Sequence, residues 1–119
     1  MSTSSTDAYT GNLDFWEKAA STHGVDEDSP HYRMNVVVAG GTLMTPTEQR
    51  AVAAATGGTA EDPLAGVVGL DVLYLQSHLG ADGVVMARAG ARVTCADFSA
   101  TALARASELA ERVGVPLET

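Results

Sequence analysis

From position 71 to 113 the chain alternates twice between a short apolar run and a helical period, and that alternation constrains its fold more than any other feature. Val72, Leu73 and Leu75 give the apolar run of a buried parallel strand over 71–76. A short helix is predicted over 82–89, closed by Gly90, and a second strand over 92–96. Ser99 stands where it can cap a helix over 100–113. The stripe of that helix is Ala102, Leu103, Ala106, Leu109, Ala110 and Val113, with Gly114 at its end and Pro116 beyond. Residues 115–117 read as the start of a third strand. The order β-α-β-α implies parallel strands joined by crossovers, hence an α/β fold. Parallel sheets need cover on both faces, and two strands with a stub are few for such a sheet. The expectation is a larger domain, truncated at the start of its third strand.

Upstream the chain is less regular. Residues 1–11 are rich in Ser and Thr and are expected to be a disordered tail. Asn12 can cap a helix over 13–22, with Phe15, Trp16, Ala19 and Ala20 as its apolar stripe and Gly24 as its stop. The acidic stretch 25–34 reads as loop, and 35–39 fits a strand or part of a helix equally. Thr45, Pro46 and Glu48 form a helix start with a capping box, and the helix is expected to reach about Thr56 before Gly57-Gly58. Three segments result: the tail 1–11, an N-terminal helical or lid segment 12–62, and the β-α-β-α part 63–119.

Charge and composition exclude several functions. The 119 residues carry 15 acidic and 7 basic side chains, a net charge of −8. Nine of the acids and only three of the bases lie in residues 1–62. Nucleic-acid binding needs clustered Lys and Arg, so it is not expected. A lone Cys95 allows neither an internal disulfide nor a cysteine-rich zinc site, and no metal is expected. No apolar run approaches the ~20 residues of a membrane span. Residues 1–10 lack the basic and apolar parts of a signal peptide. A soluble cytoplasmic protein is expected.

In a fold of this class, ligands bind at the carboxyl ends of the strands. The loop after the first strand is Gln76-Ser77-His78-Leu79-Gly80-Ala81-Asp82, and the second strand ends in Asp97-Phe98-Ser99. An acid at the Asp97 position can accept hydrogen bonds from ribose hydroxyls. Gly80 lets backbone approach a ligand closely, and the helix start at Asp82 can hold an anionic group. A dinucleotide fingerprint needs three glycines, and this loop has only Gly80. The loop therefore favours a nucleoside without pyrophosphate, S-adenosylmethionine, over NAD.

The run from Leu73 through Asp82, followed by Ala87 through Ser99, resembles class I S-adenosylmethionine-dependent methyltransferases. It is most similar to a bacterial subgroup whose first loop reads L-Q-C-H-x-G-x-D. The stretch from Ala102 to Val115 is similar to that group as well, which runs through an alanine-rich helix to a Gly before its third strand. Asn12, Trp16, His23, Ser29 and Tyr32 follow the order of its N-terminal segment, and Glu48 fits its preceding helix. The likeness spans most of residues 12–117.

The resemblance implies a Rossmann-like sheet and methyl transfer to a small-molecule acceptor, with this chain supplying the cofactor-binding half. It implies that Gln76, His78 and Gly80 shape the methionine pocket, that Asp97 holds the ribose hydroxyls and that Phe98 lies against adenine. Tyr32 and the Trp16 helix would belong to a lid. No catalytic base is named, and the 119 residues alone are expected to be inactive. The chain departs from the pattern at Ser77, where the subgroup has Cys, and at Tyr74, where an acid is usual. It departs again at Gly83, Val84 and Val85, which replace Thr-Leu-Ser. The acceptor site would lie in later strands.

Plainer roles stand beside these. Asp97 is also a natural cap for the next helix, Gly80 a turn residue and His78 a loop-shaping side chain. Trp16 and Phe15 suit packing, His23 and His31 a surface, and Cys95 a buried strand position. Two other functions compete. One is a non-catalytic binding or interaction module that needs a partner chain, including a homo-oligomer formed through an open sheet edge. The other is a nicotinamide nucleotide binder.

Overall fold

A computed structural model describes residues 5–22 and 34–119. The expectations for His23, His31, Tyr32 and the loop over 25–33 lie outside the described residues. The elements are α1 (Ser5–Thr22), α2 (Met34–Val38), α3 (Pro46–Thr56), β1 (Asp71–Leu75), α4 (Ala81–Arg88), β2 (Arg92–Ala96) and α5 (Ala100–Val113), with a 3-10 turn at Ala65–Val67.

The architecture is α/β. β1 and β2 pair in parallel, with Asp71 opposite Arg92 and Leu75 opposite Ala96. The chain returns after α5 to the far side of β2. There Cys95 N donates to Glu118 O at 2.7 Å, and Glu118 N donates to Val93 O at 3.1 Å. This parallel bridge places the stub of a third strand at Glu118, one residue past the predicted 115–117. Among the described residues the spatial order is thus β1, β2, Glu118, with β1 at the outer edge.

Val72, Tyr74, Val93 and Cys95 point to the helical face of the sheet and join the core. α4 lies centrally, and Gly83, Val84, Val85, Met86 and Ala87 are all buried. A helix buried all round needs an apolar sequence, which Gly-Val-Val-Met-Ala supplies. Gly83 weakens the helix locally, yet a Cβ there would lie 2.6 Å from Cys95 Sγ. The glycine lets α4 approach β2. The opposite face of the sheet is bare: Leu73 is 62 % and Leu75 68 % exposed.

Local signals set several boundaries as expected. Thr45 and Glu48 make the capping box of α3. Ser99 accepts from Ala102 N and caps α5, while Gly114 closes it in the left-handed conformation. One open reading is decided and one expectation changes. Residues 35–38, compatible with strand or helix, are helical, because Arg88 reaches the carbonyls that the short helix leaves open. Its guanidinium donates to Val37 O at 2.7 Å, Gly40 O at 3.1 Å and Gly41 O at 2.7 Å. The disordered tail expected over 1–11 is corrected from Ser5 onward, where α1 begins. The reason is tertiary: Tyr9 sets its ring edge-on to Phe98 with centroids 6.0 Å apart. Among the described residues no helix is long and apolar enough to cross a membrane.

Candidate functional site

The loop after β1 is shaped by hydrogen bonds between its backbone and the end of β2. Ser77 N donates to Ala96 O at 3.1 Å, and His78 N donates to Asp97 Oδ2 at 2.8 Å. The other Asp97 oxygen accepts Ser99 N at 2.9 Å. Asp97 therefore joins the two strand-end loops and is not the cap of α5, a role filled by Ser99. Gln76 and His78 adopt positive φ angles of 52° and 49°. Non-glycine residues in this region cost on the order of 1 kcal/mol each, and such backbone concentrates at ligand sites.

Above this loop lies a cleft of about 1030 Å³, lined by Leu75, Gln76, His78, Ala96, Asp97 and Phe98 below and by Tyr9, Asn12 and Trp16 of α1 above. Its size suits a small organic ligand. Trp16 meets the His78 ring edge-on at 5.6 Å between centroids. Four of the expected site residues, Gln76, His78, Asp97 and Phe98, thus come together. Gly80 does not line the cleft. It is buried at φ 75°, and a Cβ there would lie 2.5 Å from Ala106 Cβ. Glycine is required at this position by the packing of α4 on α5. Tyr32 lies outside the described residues.

Comparison with models of known protein families and with curated proteins finds no match to this chain. The site is therefore defined by its own geometry. Among the described residues no group of three or more His, Cys, Asp or Glu side chains is arranged to hold a metal ion.

One residue that docks α1 on α5 is not among the candidate site residues read from the sequence. Glu17 of α1 accepts Thr101 N at 3.3 Å and the Thr101 hydroxyl, and it also faces the Ser99 hydroxyl. Those donors, the Thr101 hydroxyl foremost, hold its carboxyl below the usual glutamate range. The carboxylate fills the amino end of α5, where the helix dipole favours negative charge. Tyr9, Asn12 and Trp16 recur at spacings of three and four residues, so they share one helical face. That pattern was available in the sequence; the Glu17 contact was not, since its partner lies 84 positions away.

Behind the cleft, Tyr74 donates to Asp82 Oδ2 at 3.4 Å. Burial, reinforced by the Asp82 carboxylate, pushes the Tyr74 phenol up to about 12. Burial, with Glu48 nearby, also raises Asp82. Tyr74 therefore serves as a neutral hydrogen-bond donor. Cys95 is fully buried, and burial raises its thiol too, which makes it a packing residue.

Proposed function

We propose that the cleft binds the adenosine part of S-adenosylmethionine and that the chain supplies the cofactor-binding part of a methyltransferase acting on a small-molecule acceptor. The observation that carries this reading is the Asp97 carboxylate at the cleft wall, fixed by one backbone N–H on each oxygen. An ionised carboxylate has about four acceptor positions, so each oxygen keeps capacity for a ribose hydroxyl. The exposed ring of Phe98 offers a flat apolar face for adenine, with Tyr9 beside it. Gln76 and His78 would border the amino-acid end. Among the described residues the cleft wall carries Asp97 and no Lys or Arg, which suits a ligand without phosphate.

When bound, S-adenosylmethionine supplies an electrophilic methyl group on a sulfonium. The residues of this chain would orient the nucleoside, and Trp16 and Tyr9 on α1 would exclude water above it. Orientation of this kind is a large part of rate enhancement in two-substrate transfers. None of the cleft residues is assigned as a general base.

The test is thermal unfolding with and without S-adenosylhomocysteine, with NAD as the control. At 100 times its Kd a ligand adds ~2.7 kcal/mol of stability. A rise in Tm with S-adenosylhomocysteine alone supports the reading. A cooperative transition indifferent to both ligands rejects it in favour of a non-catalytic interaction module. A rise with NAD alone rejects it in favour of a nicotinamide nucleotide site.

A further inference from the structure

We infer that Asn12 is a specificity residue that holds the ribose hydroxyls from α1, across the cleft from Asp97; this rests on the nucleoside reading of the cleft. Asn12 lines the cleft together with Asp97, His78 and Phe98. Two ring contacts bracket its position. Towards one end Tyr9 meets Phe98 with centroids 6.0 Å apart, and towards the other Trp16 meets His78 at 5.6 Å. Tyr9 and Trp16 stand about 10 Å apart along the helix axis, with Asn12 between them on the same face. On the floor, Asp97 lies between the same two partners: it precedes Phe98 in the chain and accepts His78 N at 2.8 Å. Roof and floor thus run in one order, and Asn12 stands over the stretch of cleft that holds Asp97.

The fold itself makes no use of the Asn12 amide. α1 begins at Ser5, so Asn12 lies inside the helix and is not the cap of a helix starting at 13. Asparagine is a weak residue inside a helix, because its amide competes for backbone groups. Among the described residues that amide enters no hydrogen bond. Its role follows from the pairing rules of hydroxyl groups. An ionised carboxylate only accepts, so Asp97 takes the protons of the ribose hydroxyls. Each hydroxyl oxygen keeps lone pairs that need a donor once water is displaced. The NH2 of Asn12 carries two donors and supplies them from the opposite side. A ribose diol between the two side chains has its donors and its acceptors paired. A deoxyribose leaves part of this pairing unmade, so the site takes ribonucleosides in preference to deoxyribonucleosides.

The experiment compares Kd values of adenosine, 2′-deoxyadenosine and 3′-deoxyadenosine by calorimetry, for the unmodified chain, Asn12→Ala and Asn12→Asp. S-adenosylhomocysteine serves as the reference ligand. Alanine favours helix, so Asn12→Ala keeps α1. Emission of Trp16, the only tryptophan, reports whether α1 remains seated. The expected result is that the unmodified chain binds adenosine at least about ten-fold more tightly than either deoxynucleoside. Asn12→Ala should narrow that gap about five-fold for at least one of them, by weakening adenosine, with Trp16 emission retained. Asn12→Asp keeps the size but exchanges the donors for a second negative charge, and should bind adenosine more weakly than Asn12→Ala. A gap unchanged in Asn12→Ala while adenosine still binds overturns this inference alone. An equal loss of all three ligands also overturns it, because Asn12 then only shapes the roof. Adenosine binding by Asn12→Asp as tight as by the unmodified chain overturns it as well. If neither adenosine nor S-adenosylhomocysteine binds the unmodified chain, the nucleoside reading falls and this inference falls with it.

Discussion

The Asp97 carboxylate accepts the backbone N–H of His78 at 2.8 Å, across 19 positions of sequence, and so fastens the loop after β1 to the end of β2. Its second oxygen holds Ser99 N. Hydrogen bonds to a charged partner contribute about 1.5–3 kcal/mol each, more than neutral ones. Asp97→Ala is thus expected to lower stability by about 2 kcal/mol and to abolish binding of S-adenosylhomocysteine. Asp97→Asn, which retains one acceptor, should recover part of the stability and little of the binding. Urea unfolding and calorimetry check both; full binding by Asp97→Ala would remove Asp97 from the site.

Glu17 makes the seating of α1 sensitive to acid. Its carboxyl is held below the ordinary glutamate range by the donors at the start of α5. A depressed folded value means that the carboxylate form favours the docked helix. That contribution is present above the ordinary glutamate range and is lost as pH falls through the depressed folded value. Trp16 emission should change over this acidic window, and Glu17→Gln should remove the transition. A transition that persists in Glu17→Gln would assign it to another group.

Asp82 acts with the opposite sign. Burial raises its folded value, so its ionisation opposes folding. The associated stability is full below the ordinary aspartate range and declines as pH rises through the raised folded value. Asp82→Asn should flatten this decline in unfolding curves recorded from acidic to neutral pH. A slope identical to that of the unmodified chain would contradict the assignment.

Gly83 and Cys95 form a tight pair, with 2.6 Å between a Cβ placed at Gly83 and the Cys95 sulfur. Gly83→Ala gains about 1 kcal/mol of helix propensity. Overpacking costs about 1–3 kcal/mol and should dominate. Adding Cys95→Ala removes the obstructing sulfur, so the double variant should show a favourable coupling of about 1 kcal/mol. Additive single effects would place the strain elsewhere.

Burial separates two kinds of apolar residue. Val84 is fully buried, while Leu75 is mostly exposed on the bare sheet face. Val84→Ala is expected to cost about 2 kcal/mol, and Leu75→Thr about 0.5 kcal/mol or less. Equal costs in denaturant unfolding would mean that the bare face is covered in solution.

The sequence by itself determined the elements whose signals are local. The alternation over 71–113 produced two parallel strands and two helices at nearly the expected positions. Ser99, Gly114 and the Thr45–Glu48 capping box act within a few residues of themselves, so their effect is readable from spacing alone. Gln76, His78, Asp97 and Phe98 were legible because strand ends define where such folds open a cleft. Only the tertiary structure decided the rest. α2 is helical because Arg88, far along the chain, binds its terminal carbonyls. α1 extends to Ser5 where Tyr9 meets Phe98. Gly80 is fixed by Ala106, and Glu17 takes its role from Thr101. In each case the deciding partner is distant in sequence, and the local segment is compatible with more than one state until that partner arrives. Periodicity and caps specify an element; the contacts between elements choose among the conformations that periodicity leaves open.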